Sequence, residues 1–241
     1  MTEQNSSQKL TLRRRVFSSL VALVLAVPII YLAIPRAVSA IVAVPGDHVL
    51  RRIQNGEAVS DKNLDTLIES RERALAWFDS GRLHTDLALA VLLKAERLGT
   101  ESEELEKAFA DRAIDLIHLG LSRAPARPYA WTRLAHAEML ANGVSPASAR
   151  ALEMSFRTGA YNPHLAKIRL KLALYNWSEL SPEVRKRVLQ EIRVVSKGGG
   201  PPEDVIDAAG QVGRLDVLRI ALFGDPKALK RLERRASKRG W

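Results

Sequence analysis

Glu69-Ser70 is the pair in this chain with the most direct chemical reading, because a glutamate in a cleft can act as general acid on a glycosidic bond. Its neighbours Arg71, Glu72 and Arg73 make the segment read instead as a solvated, charged helix face. Five histidines (His48, His84, His118, His136, His164) are spread without metal-ligand spacing, and no HExxH pair occurs. His136 and Glu138 stand two apart, so a helix points them to different sides. Gly198-Gly199-Gly200 runs into Pro201-Pro202, where a phosphate loop needs a helix start supplying N–H groups. There is no GxSxG, P-loop or GxGxxG. The expectation is a protein without cofactor or metal, and not an enzyme.

Charge narrows the partners. The chain has 241 residues and a formal net charge of +10, but the bases sit at its ends. Residues 1–36 hold five bases and one acid, and residues 225–241 hold seven bases and two acids. The remainder is close to neutral, with 25 bases against 24 acids. A nucleic-acid-binding domain needs a basic face on its folded body, so no nucleic-acid partner is expected. Basic ends suit contacts with anionic lipid or an acidic polymer. Cysteine is absent, which removes disulfides and thiolate metal sites.

Val16 to Pro35 is a run of twenty uncharged residues behind Arg13-Arg14-Arg15. At about 1.5 Å per residue it spans about 30 Å, the thickness of a bilayer's hydrocarbon core. A buried soluble helix of this length would show a polar face, and only Ser18, Ser19 and Tyr31 are polar here. A cleaved signal peptide is the stronger rival, since Val38-Ser39-Ala40 is a pattern a signal peptidase accepts. The span exceeds an ordinary signal-peptide core, so a retained anchor is favoured. Bases before the span place a cytoplasmic N-terminus at 1–15, the membrane helix at 16–35 and everything beyond in the periplasm.

A connector is expected at 36–60, with turns at Pro45-Gly46 and Asn55-Gly56. Helix-period segments follow over 61–224. Ser60 or Asp61 caps the first, which places Leu64, Leu67, Ile68, Leu75 and Phe78 on one face and ends at Gly81. Thr100 caps a later one with Glu101, Glu103 and Glu104 in its first turn. Another runs from Pro163 to about Leu180, and Ser181-Pro182-Glu183 starts the next. Residues 225–241 form a basic helix or tail with bases on several sides. Nothing alternates as a strand does, so the fold class is all-α.

Ala113, Ile117, Gly120 and Pro125, followed by Trp131, Leu134 and Ala135, keep the spacing of one repeat junction. On these residues the chain resembles the tetratricopeptide repeat family. That resemblance implies a right-handed α-solenoid of antiparallel helix pairs, with Trp131 buried against the helix that ends at Pro125. Glu138, at a usual aromatic position, and Gly159, where the next Pro belongs, depart from the pattern.

A second likeness runs through Ser155-Phe156-Arg157-Thr158-Gly159-Ala160-Tyr161, Pro163, Arg169, Leu170 and Trp177, with Pro45-Gly46-Asp47 and Ala76-Trp77. In these stretches the chain resembles small membrane-anchored accessory proteins of bacterial exopolysaccharide biosynthesis. The likeness implies a scaffold for envelope or polysaccharide-assembly proteins. Arg157, Tyr161, Arg169 and Trp177 are then the candidate partner contacts, since long polar and aromatic side chains dominate many interfaces. A general envelope scaffold is the alternative. A lytic transglycosylase is the enzymatic rival, but the Gly-Leu-Met-Gln run that should follow its Glu-Ser pair is missing.

Overall fold

The computed structural model describes the backbone of residues 3–99, 101–159 and 161–241, and side chains from Ala22 onward except Leu23, Thr100 and Ala160. The basic residues before the apolar run, the start of that run and the expected cap Thr100 therefore lie outside the described side chains. Among the described residues there are eleven helices and no strand.

Helix α1 (Glu3–Gln54) changes character along its length. Val24, Leu25, Val27 and Ile29 to Leu32 are exposed, as is Ile34. The stretch beginning at Val24 is long and apolar enough to cross a membrane. From Ser39 onward one stripe turns inward: Ser39, Ala43, Gly46 and Leu50 recur every three or four residues and are buried. That stripe packs on α2 (Asp61–Leu75).

The turn expected at Pro45-Gly46 is not there, because α1 runs through both residues. Pro45 removes its own N–H donor and crowds the Ile41 carbonyl, a cost of about 3 kcal/mol that tertiary packing can offset. Gly46 supplies part of that packing. A Cβ added there would lie 2.2 Å from Ser70 Oγ and 2.9 Å from Leu67 Cδ1, so the bare backbone lets α2 come close. Gly81, expected to end α2, instead opens α3 (Gly81–Leu98) after a loop that holds Phe78. Its Cβ would stand 2.7 Å from the Gly120 carbonyl, so its smallness serves the crossing of α3 with α4 (Glu103–Arg123).

Local chemistry explains the remaining boundaries. Ser60 caps α2 by accepting from the Asn63 N–H, and Ser102 caps α4 by accepting from Leu105. Gly143 takes a left-handed φ of 69° between α5 (Pro128–Asn142) and α6 (Pro146–Thr158), where Ser145 and Ser148 form a capping box. Helix α7 (Pro163–Tyr175) stops short of Leu180 because Asn176 takes the cap, its amide donating to the Leu172 carbonyl at 2.9 Å. Helices α8 (Pro182–Val195), α9 (Glu203–Gln211), α10 (Leu215–Ala221) and α11 (Pro226–Lys238) complete the order.

Consecutive helices pack on one another from α1 to α8 and again at α9 and α10, and next-but-one contacts join α3 to α5, α5 to α7, α7 to α9, α8 to α10 and α9 to α11. Loops therefore collect at two ends of the packed helices, a near end beside Arg36 and a far end beyond Gln54.

Candidate functional site

The near end is built from the C-termini of α2, α4 and α6 and the starts of α3, α5 and α7. Ser39 Oγ donates to the Ala74 carbonyl at 2.9 Å, and the Arg36 guanidinium lies 4.3 Å above the Phe78 ring. These contacts hold the α2–α3 loop beside Arg36, the first charged residue after the uncharged run of α1. Asp79 in that loop accepts from His84 at 2.8 Å and pairs with Arg123 at the end of α4. Desolvation is the largest single influence and acts to raise the Asp79 carboxyl, but the hydrogen bonds and charges of His84 and Arg123 together outweigh it and lower it below its ordinary value.

The repeat-junction residues meet here. Ala113, Ile117 and Gly120 are buried, and a Cβ on Gly120 would lie 2.6 Å from Thr85 Cγ2. Trp131 is only half-buried, not sealed against the preceding helix, yet its indole N–H donates to the Pro125 carbonyl at 2.7 Å. Gly159, where the expected repeat spacing would put a proline, leaves no room for a side chain: a Cβ there would stand 2.7 Å from the Pro128 ring. Thr132 and Ser155 share a hydrogen bond of 2.7 Å below that contact.

The four sequence-designated contacts do not form one patch. Arg157 and Tyr161 are exposed at the near end. Trp177 lies past the other end of α7, about 20 Å away at the rise of a helix, half-buried with the Arg185 guanidinium 5.6 Å from its ring. Arg169 is fully buried between them and cannot touch a partner. Its guanidinium forks onto Glu191 at 3.3 and 2.6 Å, donates to the Gly159 carbonyl at 2.7 Å and lies 4.5 Å over the Phe156 ring. Burial pushes the Glu191 carboxyl upward, opposed by the Arg169 charge and hydrogen bond. This cluster ties α6, α7 and α8 together.

Arg71 repeats the arrangement in the first helix pair, against the reading of its segment as a solvated face. It is 1% exposed and donates to the Ala43 carbonyl and to Asp47 Oδ1, each at 2.7 Å. Ser70 beside it is also buried, so only Glu69 of the Glu-Ser pair reaches solvent. Spacing held the signal: Arg71 lies seven residues after Leu64, on the apolar stripe itself, and Arg169 lies four after Leu165.

The basic segment at 225–241 is no loose tail. Asp225 caps α11 through the Ala228 N–H at 3.0 Å, and Ala228, Leu232 and Ala236 are buried. Arg231 and Arg235 donate to the Gly198 and Pro201 carbonyls, and Arg239 pairs with Asp207 at 2.8 Å. Lys227, Lys230, Arg234 and Lys238 remain as one exposed stripe. Shallow clefts flank this helix, one lined by Glu203, Ile206 and Arg239, the other by Gly210, Leu215 and Trp241.

Among the described residues, no three His, Asp or Glu side chains are grouped to hold a metal ion. His84 and His136 instead face single acids, Asp79 and Glu96, at 2.8 and 3.0 Å. Comparison with known proteins gives no match to a family model, to a curated sequence or to a solved structure.

Proposed function

We propose that this chain is a non-catalytic adaptor, anchored in the bacterial inner membrane by α1, with its body in the periplasm. The observation that carries the reading is the continuity of α1. One helix is exposed and apolar over Val24–Ile34 and then becomes the first packed element of the body. A body fused to its span without a linker is held at a fixed height above the bilayer, which suits a scaffold. Cleavage after Ala40 would sever α1 within the packed region, cutting away Ser39 and its bond to Ala74. A retained anchor fits that contact better than a cleaved signal does.

The series of next-but-one contacts supports a right-handed helical-repeat stack, and such stacks present extended binding surfaces. On this reading Arg157, Tyr161 and Trp177 are contacts at two ends of the stack, while Arg169 is structural. The exposed stripe of α11 suits an anionic lipid or polymer. Supporting exopolysaccharide biosynthesis or export is the biological role that the sequence likeness favours.

A deletion strain tests the role. Lost or shortened exopolysaccharide, restored by the anchored protein and not by the body alone, is the expected result. Normal polymer in the deletion strain, or purified body that cleaves or modifies a glycan unaided, would overturn it.

A further inference from the structure

We propose that the near end of the helix stack, the end that holds Trp77, Tyr129 and Tyr161, rests on the anionic headgroup surface of the bilayer. This inference depends on α1 crossing that bilayer.

Height is the first observation. The Arg36 guanidinium over Phe78 and the Ser39–Ala74 bond place the α2–α3 loop beside Arg36, the first charged residue after the uncharged run Val16–Pro35. The helix that leaves the membrane at that level brings the loop to the headgroups.

Continuity is the second. Asp79 pairs with Arg123 at the end of α4, Pro128 at the start of α5 abuts Gly159, and Tyr129 lies 3.5 Å from Asn162 at the start of α7. Three successive loops are thus joined into one end.

Composition is the third. Trp77, Tyr129 and Tyr161 are 52%, 40% and 50% exposed. Tryptophan and tyrosine concentrate at membrane interfaces, where the ring meets apolar chains and the polar edge meets water. Residues 119–129 and 156–164 contain Arg123, Arg127 and Arg157 and no acid.

The helix starts differ in the same sense. A helix dipole favours an acid in the first turn; of the helices that begin at the far end, α2, α4 and α8 carry Asp61, Glu103 and Glu183 there, and α6 has none. Helices α3, α5 and α7 begin at the near end and have none. The acid of the α2–α3 loop, Asp79, is held by His84 and Arg123, which offset its charge toward phosphate.

The chain has no cysteine, so single cysteines report position cleanly. Full-length protein carrying Ala126→Cys (near end) or Ser178→Cys (far end) is labelled with a fluorophore and placed in phosphatidylglycerol–phosphatidylcholine vesicles. A headgroup-attached quencher should quench the label at 126 several times more strongly than the label at 178. Arg127→Gln with Arg157→Gln, neither base being in an ion pair, should lower the docked-to-free ratio roughly thirtyfold, with an unchanged thermal melt.

Protein lost from the vesicles on alkaline washing would overturn the anchor and this inference with it. Protein that stays, with equal quenching at both positions or no response to the double substitution, would overturn this inference alone and leave the anchor standing.

Discussion

The two ends of the stack are made by the same helix–loop–helix economy and differ in chemistry. At the far end, Ser60 and Ser102 cap helices with side-chain bonds, and Glu101, Glu103 and Glu104 face solvent. At the near end Ser80 makes no cap bond, and the loops carry arginine and exposed aromatic rings. Capping does not divide the ends cleanly, since Asn162 caps α7 at the near end by accepting from the His164 N–H at 3.0 Å and Ser181 makes no cap bond at the far end. What α3, α5 and α7 share is the lack of a first-turn acid, and a shared departure from the dipole rule points to a shared external constraint rather than to local stability.

The largest expected effect concerns the cluster beneath the near end. Arg169→Ala leaves Glu191 buried without its partner and should lower stability by about 3–5 kcal/mol in chemical unfolding of the detergent-solubilised protein. The pair of substitutions Arg169→Met and Glu191→Leu should recover most of that loss. Recovery would show the ion pair to be a structural fastening; failure would give the buried arginine a further role.

Next in size is the α1–α2 crossing. Gly46→Val should destabilise by about 1–3 kcal/mol, because its side chain meets Ser70 and Leu67. Wild-type stability in this variant would separate α1 from the body.

The caps sharpen the contrast between ends directly. Ser102→Ala should lower stability by about 1 kcal/mol. Ser80→Ala should change it by less than about 0.5 kcal/mol, since no side-chain bond is lost. Equal losses would erase the difference in capping.

The smallest effect is in pH. Asp79 should titrate below its ordinary value of 3.8, read by NMR of its carboxyl carbon. Because the folded value is the lower one, the contribution of its bridges is complete above the unfolded value. It fades as pH falls through the folded one. Asp79→Asn should therefore matter at neutral pH and not in strong acid.

Much of this molecule was legible from periodicity. The apolar faces of α2, α4 and α8 follow from Leu64-Leu67-Ile68, Ala113-Ile117 and Val184-Val188-Ile192, all buried. Turn residues were less reliable, because Pro45, Gly46 and Gly81 serve close helix approach as well as chain reversal, and only the neighbouring helix decides which. The candidate site was legible in part. Arg157 and Tyr161 are exposed as a contact requires, but Arg169, whose long polar side chain suggests an interface contact, is buried. Its place on the Leu165–Leu172 stripe matches that burial, and its partner Glu191 lies 22 residues away on another helix.

One measurement tests most directly whether α1 is both span and first helix of the body: peptide mapping of the protein from membrane and soluble fractions. The expected result is a membrane-bound chain that still contains the peptides before Ala40. A soluble body whose first residue is Ile41 would contradict it.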